Sequence, residues 1–255
     1  MLDKWYEAIK IPLTVEQFHK LPQNRAYKYE YFDNQAWLTP RPKSYHALLD
    51  LNAFEPPIKV GIDEAIAVRP VADADWEGLP KVFAAAFHRV QPFASLDQER
   101  QTKAAEECLG RTREGEDGPL IRPACFVAER ESDGAVVGGL LTTLAPKGDL
   151  TDFGTLRWKE SPPPDVLERT LGRPHLTWVF VSPRFSGHGV GTALLVSSVN
   201  ELKQLGYTEL ASTFLLGNEA STLWHWRIGF QLLAYPGSTR LIRERVRTDH
   251  RQQDG

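Results

Sequence analysis

The sequence predicts an α/β fold, a sheet flanked by helices, with a short helix-and-hairpin extension ahead of it. Three observations predict this. From Ile66 onward, helical and strand-like periodicities alternate along the chain. Near residue 180 an apolar strand runs into a glycine-rich turn and then an amphipathic helix. Before residue 60 the pattern changes to alternating tyrosines followed by clustered prolines.

The chain has 255 residues, 42% hydrophobic and 25% charged, enough to bury a substantial core. Its formal net charge of -3 supplies no global positive field, so neither nucleic acid nor an anionic membrane is an expected partner. No apolar run approaches the roughly 20 residues that span a bilayer, and the opening lacks the basic start and apolar stretch of a secretory signal. The two cysteines, Cys108 and Cys125, have no metal-ligand spacing. They read as isolated reduced thiols, which fits a cytoplasmic location, and no metal site is expected.

The extension is taken as residues 1–60 and the main domain as 61–255. Thr14-Val15-Glu16-Gln17 has the form of a capping box, with Leu13 and Phe18 placed for a hydrophobic staple, so a helix is expected from Val15 to Lys20. Tyr27, Tyr29 and Tyr31 alternate with Lys28 and Glu30 as a strand. Asp33-Asn34-Gln35 turns the chain, and Ala36 to Thr39 returns as the partner strand. Pro40, Pro42, Pro56 and Pro57 mark a linker. A helix plus hairpin buries too little to stand alone, so it should dock on the main domain. This opening resembles, over about 30 residues, the start of restriction-endonuclease-like proteins. Such a nuclease needs acidic metal ligands and a lysine on the next strands, and that set is missing before Ile66.

In the main domain, Ile66 to Pro70 reads as a strand, and Asp73 can cap a helix through Val82, Phe83 and Phe87. A second helix covers Leu96 to Leu109. Strands 124–129 and 135–141 are joined by a turn at Ser132-Asp133-Gly134. The long segment from Pro146 to Pro174 has room for a helix from Asp165 to Leu171, and connections of this length are commonly functional. Then follow strand 175–181, helix 190–205, strand 207–214, helix 219–228, and closing strands near 230–235 and 239–243.

The most informative stretch runs from Val179 to Thr192. The strand Val179-Phe180-Val181 leads into Gly187-His188-Gly189-Val190-Gly191-Thr192, then into a helix with Leu195, Val199 and Leu202 on one face. Glycines at alternate positions let the backbone approach a ligand closely. The uncapped N–H groups of the helix start, backed by its dipole, suit an anion such as a pyrophosphate. The alternative is a tight turn with no ligand. A P-loop needs a Gly-Lys-Ser/Thr ending, and no lysine follows Gly191. A dinucleotide fingerprint would put its third glycine where Thr192 stands.

These residues resemble the GNAT acetyltransferase superfamily, whose pattern is Val-x-Pro, three variable residues, a Gly-x-Gly-x-Gly variant, and a helix. A second signature agrees: Asn218, an apolar helix face, then Gly229-Phe230. Val68-Arg69-Pro70 and the strand pair at 126–129 and 137–139 match the family's opening strands, so the resemblance covers most of 66–235. It implies a mixed, mostly antiparallel sheet flanked by helices, and acetyl-CoA as acyl donor.

Carried over by position, Val179, Phe180 and Val181 would offer backbone groups to the pantetheine arm. Gly187 to Thr192 would wrap the pyrophosphate, and Asn218 would contact the cofactor beyond the next strand. Ser186 stands where the family usually has Arg or Gln, leaving the backbone cradle intact; Arg184 can supply charge nearby. His225 occupies a position where many members have a tyrosine that protonates the leaving thiolate. A histidine of pKa near 6.5 can donate a proton too; the alternative is a packed histidine between Trp224 and Trp226. His188 should face solvent.

The family often has a carboxylate base on a strand beside the glycine loop. Only Glu209 is available, and the favoured alternative is a solvated charge at the strand start. Deprotonating a lysine amine at pH 7 costs about 4.6 kcal/mol, against about 1 kcal/mol for an α-amine, so a site without an evident base leans toward a less basic amine. The expected activity is direct acyl transfer to an amine of a small molecule or a peptide, without a thiol nucleophile. The competing reading is a non-catalytic CoA-binding or protein-interaction module; an oxidoreductase on the glycine loop ranks third. The 146–174 segment and the N-terminal hairpin are expected walls of the acceptor site. A homodimer through the final strands is common among similar proteins.

Overall fold

The computed structural model describes residues 5–41, 44–56, 66–148 and 157–233. They form two sheets. The smaller holds β1 (Ile9–Pro12), β2 (Tyr27–Phe32) and β3 (Gln35–Pro40) in the antiparallel order β1-β3-β2. Phe32 pairs with Gln35, so only Asp33 and Asn34 form the turn. Both have positive φ (53° and 55°), the conformation that Asp and Asn tolerate in two-residue hairpins. Between β1 and β2 lies α1 (Val15–His19), whose Thr14–Gln17 capping box forms as expected.

The larger sheet has seven strands in the order β10-β4-β9-β8-β7-β6-β5. These are β4 (Ser44–Asp50), β5 (Ile66–Pro70), β6 (Phe126–Arg130), β7 (Ala135–Ala145), β8 (Arg173–Val181), β9 (Glu209–Leu215) and β10 (Gln231–Leu232). All neighbours are antiparallel except β8 and β9. A parallel pair needs a crossover, here α4 (Val190–Gln204). Two further helices, α2 (Asp75–Phe87) and α3 (Gln98–Arg113), share a core with Val127, Leu141 and Phe180 on one face of the sheet. On the other face α4 packs its Leu194, Leu195, Val199 and Leu202 against Ala128, Leu140 and Leu176. The last helix among the described residues, α5 (Glu219–Arg227), leads into Ile228 and Phe230 of that second core. The mixed, mostly antiparallel sheet flanked by helices is the fold class expected.

Four expectations need correction. The division at residue 60 does not follow the sheets, because Ser44–Asp50 pairs along its whole length with β9. Asp73 does not cap α2: Ala74 is the cap position, with no side-chain bond. Asp75 clamps the preceding loop instead, accepting the Ala72 N–H at 2.7 Å and taking both Arg69 nitrogens at 2.8 Å. Its carboxyl therefore lies below the usual range, chiefly through Arg69. Residues 165–171 form turns rather than a helix. The closing strand near 230–235 is short, Gln231–Leu232; the strand expected at 239–243 and the linker prolines Pro42 and Pro57 lie outside the described residues.

The small sheet docks through a few specific contacts. Trp5 is buried in the core beneath α2 and α3. Tyr27 Oη accepts from the Gln91 side chain, and Glu7 pairs with Arg100. Asn24 and Ala26 press against Gly217, whose φ of +91° belongs to the turn before α5. Among the described residues no helix is long and apolar enough to cross a membrane.

Candidate active site

The parallel pairing of β8 with β9 is confined to His175↔Ala211 and Leu176↔Ser212. β8 continues to pair with β7 as far as Val181, and β9 with β4 as far as Leu215. The two strands therefore diverge from a vertex at 176 and 212. A cleft of about 1470 Å³ opens between them, with Val179, Phe180 and Val181 on one wall and Ser212 to Leu215 on the other. Phe180 turns its ring into the α2–α3 core, so its main chain is what it offers the cleft. The edge of β8 facing the fork carries backbone groups with no β9 partner, the arrangement an extended ligand can use as a strand would.

The glycine turn closes one end of this cleft. Gly187 and Gly189 have φ of +83° and +80°. Gly189 is the cap residue of α4 and provides no side-chain bond, so the first-turn N–H groups of Val190, Gly191 and Thr192 are left for a ligand. Val190 itself is buried and packs in the core. Thr192 Oγ1 accepts from Trp224 Nε1 at 3.2 Å, tying the start of α4 to α5. Phe185, within a short turn at Pro183–Phe185, is buried under the loop and fixes its approach. His188 is exposed and does not line the cleft, as expected of it.

Asn218 lies at the far rim, where its carboxamide oxygen accepts the Ser221 N–H at 3.1 Å and caps α5. His225 is 1% exposed and lies against Phe214 with ring centroids 4.0 Å apart. Its Nδ1 donates to the Ser221 carbonyl at 2.7 Å, so the neutral ring's Nε2 accepts from Ser212 Oγ at 2.8 Å. Burial pushes its pKa down to about 4, partly offset by the Ser221 bond. The value near 6.5 expected from sequence does not apply: the ring is neutral at pH 7, and its one N–H is spent on the backbone.

Glu209 does not reach this place. It begins β9 opposite Asp50, outside the cleft, and pairs with Arg173 at 2.6 Å. The sequence expectation of a base there fails because Arg173 is buried and takes that carboxylate as its counter-charge. Cys125 is buried, with its pKa pushed up to about 12 by burial, so it is no nucleophile at neutral pH.

Sequence reasoning missed three side chains that the fold brings to the vertex: His46 on β4, His175 on β8 and Thr213 on β9. Thr213 Oγ1 is 3.1 Å from His46 Nδ1 and 3.0 Å from His175 Nε2. The signal for His175 is its place in the strand before the glycine loop, a position where the resemblance points to a carboxylate rather than a histidine. His46 belonged to a stretch read as linker. Of the expected acceptor-site walls, residues 157–162 line the cleft while the hairpin strands do not; Tyr6, Ser44 and His46 do so from the N-terminal part.

The model of the acetyltransferase (GNAT) family matches residues 90–230, more than half of the chain. The chain belongs to the GNAT acetyltransferase family. Solved structures similar to this GNAT protein include a GNAT family acetyltransferase from Brucella melitensis in complex with acetyl-CoA. It is 22% identical, with 68% of this chain and 89% of that one covered and a TM-score of 0.44. A PaiA N-acetyltransferase from Thermoplasma acidophilum in complex with coenzyme A is 13% identical, with 66% and 90% covered and a TM-score of 0.43. A GCN5-related N-acetyltransferase from Sphaerobacter thermophilus is 14% identical, with 89% and 57% covered and a TM-score of 0.47. No curated protein sequence gives a significant match.

Proposed function

We propose that this GNAT protein is an N-acetyltransferase that moves the acetyl group of acetyl-CoA directly to an acceptor amine in the cytoplasm. The fork between β8 and β9, closed at one end by the uncapped start of α4, carries the reading. The pantetheine arm lies along Val179 to Val181, and the pyrophosphate sits on the N–H groups of Val190, Gly191 and Thr192. Gly187 and Gly189 supply the turn, and the Asn218 amide flanks the arm from the cap of α5. The thioester then falls near the vertex, and the acceptor nitrogen attacks its carbonyl. The C–N bond forms as the C–S bond breaks, the electron pair leaves on sulfur, and the nitrogen gives up its proton to that thiolate or to solvent. His225 acts through Ser212, whose hydroxyl it orients at the vertex. The acceptor enters from the side lined by Tyr6, Phe87, Phe93 and Trp158.

Calorimetry with acetyl-CoA, followed by free-thiol release across a panel of primary amines, tests the assignment. Binding with thiol release for at least one amine is the expected result. Binding without release for any acceptor would make the protein a CoA-holding module, and no binding would remove the cofactor from the fork.

A further inference from the structure

A carboxylate that the transfer described above does not use lies on the acceptor side of the cleft. Asp117 follows α3 in the stretch that returns to β6, and it lines the cleft together with Trp158 and Trp178. Its position is fixed from two sides. The Thr143 hydroxyl on β7 donates to its main-chain carbonyl at 3.0 Å. The Thr112 hydroxyl on α3 donates to Oδ2 at 2.7 Å and accepts from Trp178 Nε1 at 2.9 Å. The next residue, Gly118, has φ of +105° and lies so close to β7 that a Cβ there would strike the Leu144 carbonyl.

This anchorage leaves the carboxylate short of partners. An ionised carboxylate offers about four acceptor sites, and among the described residues the Asp117 side chain is hydrogen-bonded by Thr112 alone. Thr112 has one proton, for which the Cys108 carbonyl, 3.0 Å from the same hydroxyl, competes. Burial pushes the Asp117 pKa above the usual carboxylate range; Arg111 and Arg157 pull it down, and Glu116 adds to the rise. The two arginines therefore do not offset what burial costs this charge. Arg111 is itself paired with Glu116 at 2.8 Å, and Arg157 is exposed and makes no ion pair among the described residues. A cationic group entering the cleft would supply both the counter-charge and the hydrogen bonds that Asp117 lacks.

The distance of Asp117 from the fork decides what that cation is. A thioester in the fork lies on the β9 side of β8, whereas Asp117 is bonded to β7, on the opposite side. Neighbouring strands are about 4.8 Å apart, so a ligand in the fork is two spacings from β7, roughly 10 Å. The nitrogen that attacks the acetyl carbon is then not the group that meets Asp117; a second group of the same acceptor is. Building on the acetyl-transfer reading above, we infer that the acceptor is a diamine, or an amine with an equivalent second cation. Its distal ammonium docks on Asp117 while its other nitrogen attacks the thioester. The wall leading to Asp117 is aromatic: Trp178 stands edge-on to Phe87 with ring centroids 6.1 Å apart, and Phe87 lies 5.8 Å from Phe93. Such a wall suits the alkyl spacer and attracts a passing cation. Asp117 thus sets which amine is taken, and attack and proton release run as described above.

Acceptors of matched length separate the second charge from the chain that carries it. Thiol release from acetyl-CoA is measured with diamines from diaminopropane to diaminohexane, each against the amino alcohol in which a hydroxyl replaces one amine. At the best length the diamine should exceed its amino alcohol in kcat/KM by about 10-fold or more, the worth of a hydrogen bond to a charged group. Asp117→Asn, which keeps the shape and an oxygen for Thr112, should raise the diamine KM by about 10-fold or more. The amino-alcohol rate and acetyl-CoA affinity should stay nearly unchanged in that variant, whereas a merely structural role would depress both acceptors alike. Asp117→Glu, which keeps the charge, should retain the preference. Equal use of diamine and amino alcohol at every length overturns the inference, as does an Asp117→Asn protein that keeps the preference. Calorimetric titration with diaminobutane and aminobutanol, with and without CoA, reads docking independently of turnover. The unaltered protein should bind the diamine more tightly and Asp117→Asn should not; equal affinities in the unaltered protein overturn the inference. Absence of thiol release by the unaltered protein with every amine would instead count against the acetyl-transfer reading, with the titration still deciding Asp117.

Discussion

Ser212 and His225 are joined by one hydrogen bond of 2.8 Å in which the serine donates, because the histidine's only N–H is held by the Ser221 carbonyl. The pair connects β9 to α5 across the floor of the cleft, and both residues are almost wholly buried. Replacing His225 with Phe keeps the stacking on Phe214 but takes away the acceptor of the Ser212 hydroxyl. The expected loss is about 1–3 kcal/mol in urea unfolding, recovered in part by adding Ser212→Ala. Turnover should also fall while acetyl-CoA affinity holds. An unaltered rate would take His225 out of the reaction.

Gly189 should accept no side chain. At φ +80° an L-residue is strained by about 1–2 kcal/mol, and Gly189 opens the helix whose first N–H groups face the fork. Gly189→Val is expected to remain folded by circular dichroism yet show no heat of acetyl-CoA binding. Wild-type affinity in that variant would move the pyrophosphate elsewhere.

Acid should weaken this fold from about pH 6.5 downward. Burial holds His46, His175 and His225 at about 4 in the folded protein, against about 6.5 once unfolded. Between those values the unfolded chain binds more protons, so stability is full above pH 6.5 and falls as the pH drops toward 4. Each group contributes a slope of up to about 1.36 kcal/mol per pH unit over that window. Melting temperatures at pH 7 and pH 5 check this: a clear drop is expected, smaller in His225→Phe, and equal values would contradict it.

Gly217→Val should loosen the small sheet. A Cβ there would come 2.6 Å from the Ala26 Cβ and 2.7 Å from its backbone nitrogen, and would also strike the Asn24 side chain. Limited proteolysis should cut faster within residues 5–41 in the variant, with cleavage after 66 unchanged. Equal protection of both regions would show that Trp5 and Tyr27 hold the sheet without this contact.

The strand, glycine turn and helix from Arg173 to Gln204 could be read from the sequence because each is decided locally. Apolar periodicity sets the strand and helix, and positive φ demands Gly187 and Gly189. The hairpin at Tyr27 to Pro40 was legible for the same reason. β4 was not: its partners lie far along the chain, as His46 and Thr213 do at 167 positions apart, and nothing local announces such a pairing. The vertex chemistry stayed hidden with it, because one of its two histidines rides on that strand. Glu209 misled for a related reason, since its fate depended on Arg173, 36 positions earlier.

The place of Ser44–Asp50 between β9 and β10 bears on how the protein can be divided. The family match begins at residue 90, and cutting the chain ahead of Ile66 would look like trimming a harmless leader. It would instead pull out a plank one place in from the edge of the platform, leaving seven register pairs of β9 open and cutting β10 adrift. The bared edge of β9 would present unpaired backbone groups beside Leu210, Ala211 and Phe214, a template for pairing with another chain, so shortened versions should precipitate rather than merely lose activity.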